Sequence, residues 1–320
     1  MRSLRGTTTA YVAACTVAFC ALLTACSDDP RPVVDDPEPD PFPEFGEVVT
    51  LSDHREVRIR FESDGVILVG TLYLPMSGSD LSAAAVNPGS GWDARSTWDE
   101  VGFFVQGLNM GVFSYDRRGF GESGGDLPSG SDPASIDILS GDLASAANAL
   151  GSAPLIRADR IGVIGGSFGG WVVPLAANLA RETIHFTIVF VGGVISSGQE
   201  ALYDELTGFS DCQRTATSME DIVRALRDAG PSGFDPRESL LGMTQPGIWF
   251  YGGLDFSHPA DFSAELLAEV EVVDPKDWTV VILPNANHEF IEGGGICQSK
   301  GPSADLATPL LAWIDQIFGP

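Results

Sequence analysis

Basic side chains are scarce in this sequence: 18 Lys and Arg face 44 Asp and Glu over 320 residues, a formal net charge of −26. Nucleic acids and anionic membrane surfaces want a basic face, so neither is expected as a partner of the chain surface. Cysteine is nearly absent from the body. Cys15, Cys20 and Cys26 lie in or at the end of the N-terminal segment, leaving only Cys212 and Cys297, too few for a disulfide framework. Histidine is limited to His54, His185, His258 and His288, so any imidazole base is a choice among four. There is no internal repeat. One long uncharged apolar run exists, residues 10–25, and acidic residues follow it too quickly for a good spanning helix.

What that run offers instead is export. Arg2 and Arg5 precede it, as in a secretory signal. Its end, Leu23-Thr24-Ala25-Cys26, resembles the lipobox of bacterial lipoproteins, in which the cysteine receives a diacylglycerol. Residues 1–25 are thus expected to be removed, and Cys26 to anchor the exported chain to a bacterial membrane. An ordinary signal peptide cut near Ala25, leaving Cys26 as a plain thiol, is the alternative. Residues 26–46 hold prolines and aspartates with almost nothing apolar, so they read as a disordered tether. The folded body is placed at 47–320.

Within the body, short apolar runs alternate with amphipathic stretches. Residues 57–61 and 66–74 flank a Ser63-Asp64-Gly65 turn and suit a hairpin. The run 81–86 leads into Asn87-Pro88-Gly89-Ser90-Gly91. Strands are then predicted at 111–115, 161–164, 186–191, 248–251 and 279–283. Helices are predicted at 97–108, 135–150, 168–180, 264–270 and 304–317. Such alternation implies an α/β fold, a mainly parallel sheet with helices on both faces. Residues 194–245 break the rhythm, and a helix starting at Ser218 and ending at Gly230-Pro231 suggests a small helical cap over the strand ends.

The densest chemical signal is Gly165-Gly166-Ser167-Phe168-Gly169, the G-x-S-x-G pattern. Glycine-rich chains produce it by chance, but here a β-branched run precedes it and a helix follows. That context is a nucleophile elbow, which lifts a serine hydroxyl clear of the sheet edge on a strained turn. A serine needs a base to take its proton. His54 lies beside the first hairpin and reads as a surface residue; His185 leads a strand at the end away from the elbow. His258 is a minor candidate. His288 follows the last strand, in a loop on the side to which the elbow serine points. Asp255, just past another strand, would orient the imidazole. The order Ser167, Asp255, His288 is the one associated with the α/β-hydrolase arrangement. An oxyanion hole needs two N–H groups, assigned to Phe168 and, in the Gly89-Ser90-Gly91 loop, to Ser90.

With these pieces placed, residues 57–320 resemble the α/β-hydrolase superfamily, nearest to bacterial dienelactone-hydrolase-like carboxylesterases. Three more stretches carry the likeness: Gly70-Thr71-Leu72-Tyr73-Leu74-Pro75, Tyr115-Asp116-Arg117-Arg118-Gly119-Phe120-Gly121-Glu122-Ser123, and Gly169-Gly170-Trp171 with Pro174-Leu175-Ala176-Ala177. Pro88 and Gly166 depart from it, each standing where such proteins often have histidine. The resemblance implies an eight-stranded sheet with a cap, and hydrolysis of small-molecule acyl esters through an acyl-enzyme with no metal or cofactor. A peptidase, thioesterase or acyltransferase on the same triad is the alternative, and a non-catalytic binding protein a further one. Dehalogenases and epoxide hydrolases of this fold use an aspartate at the elbow, against which Ser167 argues. Trp92, Trp171 and Phe256 are expected near the pocket, although core packing would account for each equally well. In an oxidising compartment Cys212 and Cys297 can pair, stapling the cap to the loop of His288; two free buried thiols are the alternative.

Overall fold

The computed structural model describes residues 42–91, 94–127 and 133–319. The expected signal, Cys26 and all but the last five residues of the expected tether lie outside them. The body begins earlier than composition suggested, because β1 (Glu44–Phe45) already pairs with the first long strand. There follow β2 (Val49–Thr50), β3 (Arg55–Ser63), β4 (Val66–Leu74), β5 (Leu81–Asn87), α1 (Trp98–Gly107), β6 (Gly111–Tyr115), α2 (Pro133–Leu150) and β7 (Ile156–Gly166). The second half runs α3 (Gly169–Leu179), β8 (Ile184–Phe190), α4 (Ser197–Thr207), α5 (Met219–Ala229), α6 (Arg237–Gly242), β9 (Gly247–Gly252), α7 (Ala260–Val273), β10 (Trp278–Leu283) and α8 (Ala307–Phe318).

The sheet has ten strands rather than eight. Its order is β1-β3-β4-β6-β5-β7-β8-β9-β10, and β2 adds to β3; the two extra strands are the two-residue pieces at that edge. From β6 through β10 every pairing is parallel, while β3 and β4 are antiparallel. The β3–β4 turn has two central residues, Asp64 and Gly65, both at positive φ, the twist a two-residue hairpin needs. Strands β6 and β9 are buried along their whole length, as parallel strands covered on both faces must be. One face is covered by α2, α3 and α7, the other by α1 and α8. This is the α/β-hydrolase fold.

Three helices, α4 to α6, fill the predicted cap interval. The first is docked on the turn after β9: the Tyr203 hydroxyl donates to Asp255 O at 2.9 Å, and Thr207 Oγ1 donates to Phe256 O at 2.6 Å. Ile195, Tyr203, Ile222 and Leu226 make a small apolar core there with Phe262 of α7. His54 is a correction to the sequence reading. It is buried, not on the surface, with ring nitrogens 2.7 Å from Asp53 and 2.9 Å from Glu56. No helix among the described residues is long and apolar enough to cross a membrane.

Candidate active site

Where β7 turns into α3, Ser167 sits at φ +49°, the left-handed region that L-residues avoid unless their surroundings impose it. The turn is clamped by Ser167 N–H donating to Phe190 O (2.9 Å) and Gly170 N–H donating to Ser167 O (2.8 Å). A Cβ on Gly165 would stand 2.6 Å from Gly169 O, and one on Gly169 would stand 2.5 Å from Asn87 O. Side chains are therefore excluded at both positions. Gly166 is different, since a Cβ there would meet only Phe190 O at 3.9 Å.

Asp255 and His288 come from the turns after β9 and β10. His288 Nδ1 is 2.9 Å from Asp255 Oδ2. A carboxylate only accepts, so Nδ1–H of His288 is the donor, and Nε2 is left to take a proton. Asp255 Oδ1 accepts from the N–H groups of Ser257 (2.8 Å) and His258 (3.0 Å). Burial alone would lower the affinity of His288 for a proton. The charge and hydrogen bond of Asp255 outweigh it, and the pKa lies above the ordinary 6.5. Asn287 shapes the loop: its Oδ1 accepts from Glu289 and Ile291, and its Nδ2 donates to Gly295 and Gln298 carbonyls.

The loop after β5 faces the elbow so closely that a Cβ on Gly89 would be 3.4 Å from that of Ser167. Arg117 braces it from behind. Its Nη2 donates to Pro88 O at 2.6 Å and Gly89 O at 3.2 Å, and its guanidinium lies 5.8 Å from the Phe168 ring centre. Among the described residues the N–H groups of Ser90 and Phe168 have no backbone acceptor.

A cavity of about 510 Å³ opens at these strand ends. Ser90, Ser167 and His288 line it, with Asp255 behind His288. Among the described residues no hydrogen bond joins Ser167 to His288, a geometry common before a substrate tightens the site. Of the expected pocket aromatics, Trp171 and Phe256 are not lining residues. Trp171 is 1% exposed, with its indole N–H donating to Ile195 O at 3.0 Å, so it belongs to the core. Phe256 is buried beneath the Arg214 guanidinium. Trp92 lies outside the described residues. The aromatic wall is instead Phe190, Phe209 and Phe290, and the lining also includes Glu200 and Asp204 of α4 and Glu289.

His258, the minor candidate for the base, is fully buried and stacked on His288, with ring centres 5.4 Å apart. Burial lowers its pKa to about 4, so the ring is neutral. Donor atoms of Asp255, His258 and His288 lie within 4.8 Å of one another, a spacing a metal ion accepts. Two of the three are already engaged with each other. Cys212 and Cys297 are bonded, with Cα atoms 5.5 Å apart.

No curated protein matches the chain by sequence. Among solved structures it is similar to acetyl xylan esterase 1 of Thermoanaerobacterium sp. JW/SL YS485, at 15% identity with a TM-score of 0.56. That match covers 87% of this chain and 89% of the other. A dienelactone hydrolase-like promiscuous phosphotriesterase from metagenomic libraries is similar at 14% identity, covering 84% of this chain and 100% of the other, with a TM-score of 0.55. Dipeptidyl peptidase 4 of Porphyromonas gingivalis is similar at 16% identity with a TM-score of 0.56, covering 82% of this chain but 36% of the other. At such identities the likeness is one of fold. The model of the prolyl oligopeptidase family matches residues 103–320, from α1 to the end, and the chain belongs to that family.

Proposed function

We propose that this family member is a serine hydrolase that cleaves carboxylic esters of small molecules through an acyl-enzyme. The reading rests on one observation above others: Ser167, on its strained elbow, and His288, paired to Asp255, line the same cavity. In the first half-reaction Ser167 Oγ bonds to the ester carbonyl carbon while His288 Nε2 accepts the hydroxyl proton. The N–H groups of Ser90 and Phe168 stabilise the oxyanion. The C–O bond to the alcohol then breaks, and His288 protonates the leaving oxygen. Water repeats the cycle on the acyl-enzyme and frees the acid.

A panel of p-nitrophenyl esters of rising chain length, with Ser167→Ala beside wild type, tests this. The variant is expected to lose on the order of a thousandfold in kcat; equal rates would remove Ser167 from the mechanism. Membership of the prolyl oligopeptidase family favours a second reading, peptide bond cleavage on the same groups. Dipeptidyl p-nitroanilides belong in the same panel, and faster turnover of these than of the esters would make the protein a peptidase. Thioesters and acyl acceptors other than water extend it to the remaining acyl-transfer chemistries.

We propose further that the chain is exported and held at a bacterial membrane through lipid on Cys26. In the native host Cys26→Ala should move the protein from the membrane to the soluble fraction. Retention of the variant at the membrane would dismiss the anchor.

A further inference from the structure

Besides the predicted triad, the cavity is lined by three carboxyl groups, Glu200, Asp204 and Glu289, and among the described residues by no lysine or arginine. Glu200 and Asp204 stand four residues apart on α4 and share its face toward the cavity. Both are held largely out of water, and among the described residues the one group able to carry positive charge that acts on them is His288, already paired to Asp255. Ser257 hydrogen-bonds the Asp204 carboxyl, but Oδ1 of Asp204 is wholly buried and has no hydrogen-bond partner. Glu200 Oε1 is 3.4 Å from His258 Nε2, but that imidazole is neutral and neither of its ring nitrogens makes a hydrogen bond.

Such an arrangement disfavours the folded state, because a buried carboxylate whose nearest cation is engaged with another acid loses hydration and recovers little. Burial, reinforced by Asp204 and Asp255, pushes Glu200 up to about 8; burial pushes Asp204 up to about 7. Helix α4 does not need these two acids to hold its place: it is already capped by Ser196 and Gln199 and docked through Tyr203 and Thr207. Buried polar atoms left without partners call for an explanation, and at the mouth of a cavity the natural one is a ligand. The remaining wall says which kind. Phe190, Phe209 and Phe290 line the same cavity as the acids. A hard metal ion wants oxygen on all sides, whereas an organic ammonium takes carboxylate and aromatic faces together.

We propose that Glu200 and Asp204 form a subsite for an ammonium group of the substrate, with the three phenyl rings enclosing its alkyl substituents. The hydrolase would then act on amine-bearing acyl compounds. As a statement about turnover this rests on the ester reading above; as a statement about binding it does not.

Two pairs of isosteric esters test it. In 2-(dimethylamino)ethyl acetate against 3-methylbutyl acetate the charge lies in the alcohol. In ethyl 4-aminobutanoate against ethyl pentanoate it lies in the acyl group. For at least one pair, wild type should favour the cationic member by roughly tenfold or more in kcat/KM, the scale of one or two charge-assisted hydrogen bonds. The pair showing it identifies the side on which the ammonium sits. In Glu200→Gln/Asp204→Asn, with Asp204→Asn alone as the milder variant, that ratio should fall toward one. A ratio near one in wild type for both pairs, or one that survives both variants, overturns the subsite. Calorimetric binding of N,N-dimethylethylammonium to Ser167→Ala protein needs no turnover. Binding that is lost on adding Glu200→Gln/Asp204→Asn supports the subsite even if no ester is cleaved, and absence of binding overturns it.

Discussion

Asp255 divides its two oxygens between two tasks. Oδ1 is held by the N–H groups of Ser257 and His258, which fix the carboxylate in the turn, and Oδ2 faces the His288 ring. Burial favours the protonated acid, but His288 opposes it by charge and hydrogen bond, and the net pKa falls below the usual carboxylate value. The partner shifts the opposite way, to above 6.5. A base must be neutral to accept a proton, so activity should rise with pH through a value higher than that of free imidazole. Asp255→Asn removes the charge that lifts His288, so the acid limb should move to lower pH. An amide can also present N–H to Nδ1 and trap the wrong tautomer, lowering kcat by up to about 10⁴-fold. The profile of kcat/KM from pH 5 to 10 reads both effects. An acid limb unmoved by the substitution would mean that Asp255 is not the partner of His288.

At the scale of elements, what the sequence revealed depended on whether a residue's environment is local. The elbow was legible because Gly165 and Gly169 are required by contacts within a few residues or with the adjacent strand. The all-buried β6 and β9 were legible because β-branched and aromatic runs have few other fates. The first half of β7 was not. Arg157, Asp159 and Arg160 carry no strand pattern, and only pairing of Ile156 with Leu81 on β5 extends the strand to them. Helix α4 escaped for a similar reason. Only Gln199, Tyr203 and Thr207 are buried along it, and its ends are set by the Ser196–Gln199 capping box and by Gly208 at φ +81°. Missing α4 meant missing Glu200 and Asp204, although two acids four apart in a cap interval were the available signal. The aromatics failed differently. Trp171 lies four residues past Ser167, but side-chain direction on α3 sends its indole to Ile195. Phe190, Phe209 and Phe290 converge from separate elements, which no local pattern announces.

At the scale of the whole molecule, the one covalent link between distant parts among the described residues is the bond from Cys212 to Cys297, 85 residues apart. Cys212 caps the short 3₁₀ turn Phe209–Asp211, and Phe209 packs edge-on against His288 with ring centres 5.7 Å apart. Cys297 belongs to the loop that Asn287 knits behind the same histidine. The bridge therefore joins cap to base loop across the cavity wall. Chain-entropy arguments for a loop of this length give about 4–5 kcal/mol, an upper figure wherever the reduced state keeps structure. In a body of this size that corresponds to a fall in Tm on the order of 10 °C. Reduction, or Cys297→Ser, should produce that fall in thermal unfolding. It should also raise KM more than it lowers kcat, since Phe209 is part of the wall whereas the Asp255–His288 hydrogen bond lies outside the bridge. A reduced protein with unchanged Tm and unchanged KM would show that the cap stays closed by Tyr203, Thr207 and its own apolar core alone, and that the disulfide is incidental to the site.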